Sequence, residues 1–336
     1  MQNTSERIIC TKKNLESEKI AMKSIVTITL NPSVDQSCTT SVVTDEKKLQ
    51  CHHPQYDPGG GGINVSRVIK RLDGETKAFY PAGKFSGDLL EQLLDREELD
   101  HVRIHVQEPT RINFHVIEDS TDKQFRFNLP GTGMKEGELK DLLHDLKEFT
   151  PTPDLVVVSG SIPPDLPPSC LHAIAEIVDS INAKLIVDTS GDGLHHALEY
   201  GLYLMKPNLR EFAELIGKPI KNQDQIIAEA TKIIEEKNVS IIIVSMGQAG
   251  TVYVSSEEQG VIQTPFVPIK SRIGAGDSMV AGITLQLALN KSLETAVTYG
   301  VAAGTAAVMT PGTELCKKED VNILFEKLKN HKNRSD

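Results

Sequence analysis

Short, continuous apolar runs alternate with helical stretches along this chain, and this alternation constrains its fold more than any other feature. Four of the runs are rich in β-branched residues, as expected for strands buried on both faces of a parallel sheet: 24–30 (SIVTITL), 154–159 (DLVVVS), 184–188 (KLIVD) and 240–245 (SIIIVS). Helical patterns lie between them at 63–72, 88–98, 171–181 and 223–237. The alternation predicts βαβ units and therefore a three-layer, doubly wound α/β domain with a mostly parallel sheet.

Two segments break this alternation and predict a second, smaller sheet. Residues 36–54 and 102–130 alternate apolar and polar side chains between turn residues, which is typical of antiparallel strands with one solvated face. A small antiparallel sheet of this kind would act as a lid over a cleft of the main domain. The exposed face of the lid would need a partner, which favours a homodimer formed through the lid.

Length, charge and hydropathy limit the classes of function. The 336 residues, 39% of them hydrophobic, are enough for a large core, and the net charge of −10 argues against a nucleic-acid-binding protein. A local cluster of cations can still bind a small anionic substrate. We interpret residues 1–22 as a flexible extension and residues 23–332 as one domain. No apolar run reaches the roughly 18 residues of a membrane span, so we expect a cytoplasmic protein without membrane contact.

A Gly-Ala-Gly-Asp sequence precedes the apolar helical segment 278–289. Gly274, Ala275 and Gly276 would let a phosphate approach consecutive backbone N–H groups at the helix start, where the helix dipole is positive. Asp277, in the first turn, could then accept a proton from a hydroxyl group that attacks the phosphate. Taken alone, the sequence also fits an ordinary tight turn followed by an acidic residue.

Four consecutive glycines, residues 59–62, precede another helical segment. Because ordering four glycines is costly, we expect the backbone there to approach a ligand closely, with Asn64 available for sugar hydroxyl groups. The run is not a Walker A loop, since no Gly-Lys-Ser/Thr follows it, and a flexible loop is the alternative. Asp35, just past the first strand, lies where open α/β sheets place ligands and can accept two hydroxyl groups.

Residues 206–211 (KPNLRE) follow a strand and begin a helical segment. Asn208 and Glu211 are three residues apart and share one helix face, and amide and carboxylate oxygens suit Mg²⁺. By itself the pair fits a helix cap by Asn208 as well. The segment 245–250 (SMGQAG) could let a nucleotide lie close to its two glycines, although a simple hairpin explains it equally.

Together these motifs resemble the ribokinase-like (PfkB) family of carbohydrate kinases, from about Met22 to the C-terminus. The resemblance depends on three segments in order: 59–67 (GGGGINVSR), Asn208-x-x-Glu211 and 274–282 (GAGDSMVAG). It implies a ribokinase-like fold with ATP and Mg²⁺ as cofactors. It also implies that Asp277 is the catalytic base, that Gly274, Ala275 and Gly276 form an anion hole, and that Asn208 and Glu211 organise Mg²⁺ through water.

Within the family, residues 31–35 (NPSVD) are similar to the branch that phosphorylates sugar phosphates. The runs 58–64 (PGGGGIN), 302–308 (AAGTAAV) and 312–316 (GTELC) resemble its bacterial minor-isozyme type of 6-phosphofructokinase. This resemblance implies phosphorylation of fructose 6-phosphate to fructose 1,6-bisphosphate. Phosphorylation of tagatose 6-phosphate or fructose 1-phosphate remains an alternative, because these substrates differ only in hydroxyl stereochemistry or phosphate position.

The same resemblance assigns binding residues. Fructose 6-phosphate would contact Asp35, Lys48, Gly60, Gly61, Asn64 and Arg111, with Arg111 or Lys48 pairing with its phosphate. ATP would contact Lys206, Ser245, Gly247 and Gly250. Some members also bind K⁺ through backbone oxygens near the anion hole, and the candidates for this are Ser271, Ile273, Ala307 and Gly312.

Two other functions are weighed against the kinase. A non-catalytic sensor of sugar phosphates on the same fold would not need Asp277, and this chain has it. A dinucleotide-dependent oxidoreductase would need Gly-x-Gly-x-x-Gly after the first strand, with an acidic residue some 20 positions later, and the sequence lacks this pattern.

Overall fold

The computed structural model describes residues 22–121, 123–167 and 169–332, which form two sheets and ten α-helices. The predicted extension therefore lies almost wholly outside the described residues. The strands are β1 (Ile25–Ile28), β2 (Ser33–Thr40), β3 (His52–Gly59), β4 (Lys77–Ala82), β5 (His101–His105), β6 (Arg111–Glu118), β7 (Lys123–Phe127), β8 (Leu155–Ser159), β9 (Lys184–Asp188), β10 (Leu202–Met205), β11 (Val239–Ser245), β12 (Thr251–Ser255) and β13 (Gln259–Ile262). The helices are α1 (Gly61–Arg71), α2 (Lys84–Arg96), α3 (Glu136–Glu148), α4 (Cys170–Ser180), α5 (Asp192–Ala197), α6 (Leu209–Leu215), α7 (Gln223–Glu236), α8 (Ala275–Ala288), α9 (Leu293–Val308) and α10 (Lys318–Lys332).

The large sheet has nine strands in the order β13-β12-β11-β10-β9-β8-β1-β4-β5. Its strands pair in parallel from β5 to β11, and β12 and β13 add an antiparallel edge. Strands β1 and β8 are buried along their whole length, as their uninterrupted apolar sequences require. The strand order reverses between β1 and β8, and ligands of open α/β sheets bind at such a switch point. The predicted doubly wound α/β fold is confirmed.

The small sheet has four strands in the order β3-β2-β6-β7, and we call it the lid. The pairs β2–β3 and β6–β7 are antiparallel, as predicted, and a parallel β2–β6 pairing joins them. One boundary of the predicted lid needs correction. The sequence predicts the second lid segment at 102–130, but residues 101–105 form β5 at the edge of the large sheet, parallel to β4. An edge strand is half exposed, so its sequence alternates like that of a lid strand.

Helices cover both faces of the large sheet and complete the three layers. One apolar cluster joins the sheet to α1, α8, α9 and α10, and a second joins the opposite face to α3–α7. Helix α8 is mostly apolar and ten of its fourteen residues are buried, which fixes its position against α1 and α9. Among the described helices, none is both long and apolar enough to cross a membrane.

Candidate active site

Two helix N-termini converge at the switch point and bring together residues that are far apart in sequence. Asp277 lies in the first turn of α8, which begins after Gly274 in a left-handed conformation (φ +69°). Asn64 lies in the first turn of α1. The Asn64 amide Nδ2 donates a hydrogen bond of 2.8 Å to Asp277 Oδ2. The carboxylate therefore sits where the positive ends of two helices meet.

The surroundings of Asp277 make its carboxylate a stronger base than an ordinary one. Burial is the largest cause, the nearby Asp188 carboxylate adds to it, and together they raise the pKa of Asp277 to about 6. The hydrogen bond from Asn64 and the charge of Lys206 act in the opposite direction, and Asp35 contributes a small further increase. A carboxylate with this pKa is well matched to proton abstraction near neutral pH.

Lys206 supplies a buried positive charge beside the start of α8. Its ammonium group lies 3.0 Å from Asp188 Oδ1, and a Cβ atom added at Gly276 would be 3.9 Å from it. Burial lowers the pKa of Lys206, but the charges of Asp188, Glu211 and Asp277 outweigh burial, so its pKa is raised and it stays protonated. Sequence analysis missed Asp188, although the end of a buried parallel strand is a recognisable position for functional residues.

A cavity of about 490 Å³ opens beside the N-terminus of α8. Its wall includes the predicted residues Ser245, Gly247, Ala275 and Gly276, and apolar side chains such as Met246 complete it. The size and the mixed lining suit a nucleoside. Gly250 does not line this cavity. It is buried at the end of the turn that joins β11 to β12, where a Cβ would lie 2.6 Å from the Ile262 carbonyl oxygen.

The glycine run 59–62 packs against protein backbone and side chains. A Cβ at Gly61 would lie 2.5 Å from the backbone nitrogen of Gly160, and one at Gly62 would lie 2.5 Å from the carbonyl oxygen of Ile28. Gly60 has φ +114°, which glycine adopts readily. These glycines therefore approach the ends of β1 and β8 closely, and their expected approach to a ligand stays a prediction.

Asp35 lies at the inner end of the lid, nearly buried. Its Oδ1 accepts hydrogen bonds of 2.8 Å from Ser33 Oγ and from Asn113 Nδ2. These two donors fix the carboxylate and leave Oδ2 as an acceptor facing the position of Gly59. One oxygen of Asp35 therefore remains for a ligand hydroxyl.

The two predicted phosphate-binding cations have different surroundings. The Arg111 guanidinium donates to the carbonyl oxygens of Asn31 (2.9 Å), Pro32 (3.3 Å) and Leu129 (2.9 Å), which leaves two of its five N–H groups. Lys48 is exposed in the loop between β2 and β3.

A second cleft, of about 120 Å³, lies between the lid and residues 311–314. Arg126 and His115 are adjacent on the paired strands β6 and β7 and line this cleft from the lid side. Lys48 is not among the described residues that line it. Sequence analysis missed Arg126 and His115, whose only signal was their place in two alternating strands.

The candidate magnesium residues form a reciprocal helix cap. The side chain of Asn208 accepts from Glu211 N at 3.0 Å, and Glu211 Oε2 accepts from Asn208 N at 2.8 Å. Both residues thus have the capping role that the sequence also allowed, and Glu211 retains one free oxygen. Among the described residues, no three His, Cys, Asp or Glu side chains cluster tightly enough to hold a metal by themselves. Oxygen donors contributed by few residues suit Mg²⁺, which keeps several waters and binds substrate phosphates.

Three of the four candidate K⁺ residues form one hydrogen-bonded group. Ser271 Oγ donates to the carbonyl oxygen of Gly312 at 3.0 Å, and Ile273 N donates to Ser271 Oγ at 3.2 Å. The Ala307 carbonyl oxygen, at the end of α9, accepts from Thr310 Oγ1 at 2.8 Å. Ser271, Ile273 and Gly312 therefore form one group next to the start of α8.

The fold and the position of Asp277, between a nucleoside-sized cavity and a lid, define the ribokinase-like class of sugar kinases. Within this class the chain belongs to the pfkB family of carbohydrate kinases, whose sequence model matches residues 18–320.

Curated relatives are similar over nearly the whole chain. The chain is 37% identical over 305 residues to ATP-dependent 6-phosphofructokinase isozyme 2 of Escherichia coli, covering 90% of this chain and 98% of that protein. It is 36% identical over 302 residues to the isozyme 2 enzyme of Mycobacterium tuberculosis, covering 90% and 89%. The 1-phosphofructokinase of Bacillus subtilis is 32% identical over 305 residues, covering 91% and 98%.

Solved structures of phosphofructokinase-2 from Escherichia coli have the same fold. The structure of its complex with potassium matches with a TM-score of 0.88 and 36% identity, covering 92% of this chain and all of that one. A tetrameric inhibited form of that enzyme matches with a TM-score of 0.86, the same identity and the same coverage. These matches confirm the large sheet and the lid.

Proposed function

We propose that this protein is an ATP-dependent 6-phosphofructokinase, which converts fructose 6-phosphate to fructose 1,6-bisphosphate. The observation that carries the proposal is the Asp277 carboxylate, hydrogen-bonded by Asn64 and placed between a nucleoside-sized cavity and the lid. The two isozyme 2 relatives support the choice of substrate.

In the proposed reaction, Asp277 Oδ accepts the proton of the C1 hydroxyl group as that oxygen attacks the γ-phosphorus of ATP. The new O–P bond forms while the bond from the γ-phosphorus to the β–γ bridging oxygen breaks, and ADP leaves with that oxygen. Backbone N–H groups of Gly274, Ala275 and Gly276, aided by the Lys206 ammonium group, stabilise the charge on the transferred phosphoryl group.

Magnesium would be held through water by Glu211 and Asn208 and by the ATP phosphates, and it would neutralise phosphate charge there. Nucleotide binding is assigned to Lys206, Ser245 and Gly247, with Gly250 shaping the turn. A K⁺ ion would bind near Ser271, Ile273, Ala307 and Gly312, and the potassium complex of the Escherichia coli relative supports this.

For the sugar, Asp35, Asn64, Gly60 and Gly61 would contact hydroxyl groups. The two remaining N–H groups of Arg111, and Lys48 after movement of its loop, would bind the 6-phosphate. The lid also exposes large apolar side chains, including Tyr56 at 44% and Phe127 at 56%, and their exposure supports a homodimer formed through the lid. Light scattering should then give about twice the mass of one chain, and Phe127→Asp should lower it toward that of a monomer.

A coupled ADP-release assay with Mg-ATP tests the substrate. We expect kcat/KM for fructose 6-phosphate to exceed that for tagatose 6-phosphate, fructose 1-phosphate and fructose by about tenfold or more, equivalent to about 1.4 kcal/mol of transition-state preference. A higher value for fructose 1-phosphate would instead favour the activity of the Bacillus subtilis relative. No turnover of any of the four would favour a non-catalytic sensor.

A further inference from the structure

An almost fully buried arginine connects the glycine run to the candidate base. Arg67, on α1, is 3% exposed and forms a two-pronged ion pair with Glu97, with Nε to Oε2 at 2.8 Å and Nη2 to Oε1 at 2.5 Å. On its other side, Nη1 donates to the Pro58 carbonyl oxygen at 3.0 Å and to Asn64 Oδ1 at 3.2 Å. The reaction as proposed above does not use Arg67.

The Asn64 side-chain amide can adopt two orientations, and its contact with Arg67 selects one of them. A side-chain amide has an oxygen that accepts and a nitrogen that donates, and rotation by 180° exchanges them. Arginine can only donate, so it selects the oxygen of Asn64 and turns the amide nitrogen toward the base. An ionised carboxylate can only accept, and the 2.8 Å contact from Asn64 Nδ2 to Asp277 meets that need.

We propose that Arg67 is a positioning residue that sets the orientation of the Asn64 amide, so that Asn64 donates a hydrogen bond to the catalytic base. Glu97 holds Arg67 in place, and the contact with Pro58 ties the same guanidinium to the entrance of the glycine run. The inference deepens the proposed kinase function and rests on it.

The charges around Asp277 explain why one hydrogen bond matters there. Asp188 and Asp35 disfavour the ionised carboxylate, and Lys206 and the Asn64 amide favour it. Without a firmly held amide donor, the balance shifts toward the protonated acid, which cannot act as a base.

The test compares Arg67→Lys with a matched control, Arg103→Lys. Arg103 also has a largely buried side chain, pairs with Asp88 at 2.8 Å and Glu91 at 2.7 Å, and donates to the Ala82 carbonyl oxygen, but it belongs to β5. A lysine ammonium at position 67 cannot reach Glu97, Pro58 and Asn64 together, and one at position 103 likewise loses the guanidinium contacts there. Both variants therefore lose a buried arginine network, but only position 67 lies beside the candidate active site.

For Arg67→Lys we expect the acidic limb of its pH profile to move upward by about half a unit or more, which lowers kcat/KM about threefold or more at pH 5 and only slightly at pH 7. Arg103→Lys should keep the wild-type limb. The phosphate of the substrate titrates in the same range, so each profile is read against wild type with the same substrate. A limb at the wild-type position in a folded Arg67→Lys protein overturns the inference.

Two further measurements keep the outcome decisive. If Arg67→Lys fails to fold, Glu97→Gln, which replaces one of the two acceptors of Arg67 by an amide donor, should move the limb in the same direction by a smaller amount. The lost negative charge by itself would lower the pKa of Asp277, so an upward move reports the loosened amide. A folded Glu97→Gln protein with an unchanged limb then overturns the inference. If the wild-type protein turns over no substrate, the proposed function fails. A crystal structure of whichever variant folds, Arg67→Lys or Glu97→Gln, then tests the positioning role of Arg67 without an activity measurement. We expect the Asn64–Asp277 separation to exceed 3.5 Å, and retention of the wild-type contact overturns the inference.

Discussion

At the scale of single residues, the chemistry of the site depends on where one carboxylate is buried. Asp277 stands at the meeting point of two helix N-termini, which favour its charge, yet burial and Asp188 dominate and raise its pKa to about 6. The group is therefore destabilised as an anion in the folded protein. That cost is the physical origin of its basicity.

Replacing this carboxylate by an amide should lower the activity and raise the stability of the protein. We expect Asp277→Asn to lower turnover by about 10²-fold or more, the scale of a lost general base. At pH 8 the same change should raise the free energy of unfolding by about 1–3 kcal/mol, since each unit of pKa shift corresponds to about 1.4 kcal/mol. Urea denaturation measures the second effect. Asp141→Asn, on the exposed face of α3, is the control and should change stability by less than about 0.5 kcal/mol. Unchanged turnover in Asp277→Asn would remove the assigned role.

The raised pKa also predicts how rate and stability depend on pH. A base works only when deprotonated, so kcat/KM should fall about tenfold per unit as the pH drops below about 6. A folded-state pKa above the unfolded value means that the stability linked to this group is present below the unfolded pKa. That stability is lost as the pH rises through about 6. Rate measurements between pH 5 and 8, with coupling enzymes in excess, check the first expectation. A rate that is level down to pH 5 would contradict it.

At the scale of elements, the glycine run joins α1 to the sheet at the switch point. Its backbone touches the ends of β1 and β8, so side chains there would push the helix away from the strands. Asn64 is the fourth residue of α1 and lies two positions after the last of these glycines, so its position depends on that close packing.

A methyl group at Gly61 should therefore act on both fold and activity. The added Cβ would lie 2.5 Å from Gly160 N and 2.6 Å from Ser159 Oγ, so Gly61→Ala should destabilise the protein by about 1–3 kcal/mol. It should also lower kcat/KM by displacing Asn64. Gly137→Ala, in α3 with nothing within 4 Å of the added atom, is the matched control and should be neutral or stabilising by up to about 1 kcal/mol. Thermal unfolding and the kinase assay report the two effects; equal stability of the two variants would contradict the packing argument.

At the scale of the whole molecule, the lid contacts the main body at two points near the second cleft. Thr313 Oγ1 donates to Asp57 Oδ2 at 2.7 Å, and Gln124 Nε2 donates to the Lys270 carbonyl oxygen at 3.3 Å. The first contact joins β3 of the lid to the segment that carries the candidate K⁺ residue Gly312. This hydrogen bond therefore connects the lid directly to the segment next to the start of α8.

Removing the Thr313 hydroxyl group should loosen the lid. We expect Thr313→Val, which is nearly isosteric, to raise KM for fructose 6-phosphate about three- to tenfold with a smaller change in kcat, because Asp57 loses a charge-assisted hydrogen bond. Steady-state kinetics measure the split between the two constants. Thr298→Val, which loses only an internal helix contact to the Glu294 carbonyl oxygen, should leave KM unchanged. A drop in kcat with constant KM would show that the contact acts on the chemical step instead.

Much of the fold could be predicted from the sequence, because apolar periodicity and β-branched runs determine secondary structure within a few residues. The runs that became β1, β8, β9 and β11 and the helical stretches that became α1, α2, α4 and α7 were all located. Strands β4, β10, β12 and β13 and helices α3, α5, α9 and α10 are not located from the sequence. The sequence KAFYPA of β4 contains a proline, which argues against a strand, and β10 has only four residues.

The sequence by itself determined the order of the motifs, and with it the family, the α/β alternation and the candidate base. Only the tertiary structure decided which side chains meet. It placed Asn64 next to Asp277 across 213 positions of sequence, paired Lys206 with Asp188, and engaged Arg111 with three backbone carbonyl groups. Local patterns set the conformation of each element, whereas burial, charge balance and hydrogen-bond partners depend on how distant elements pack.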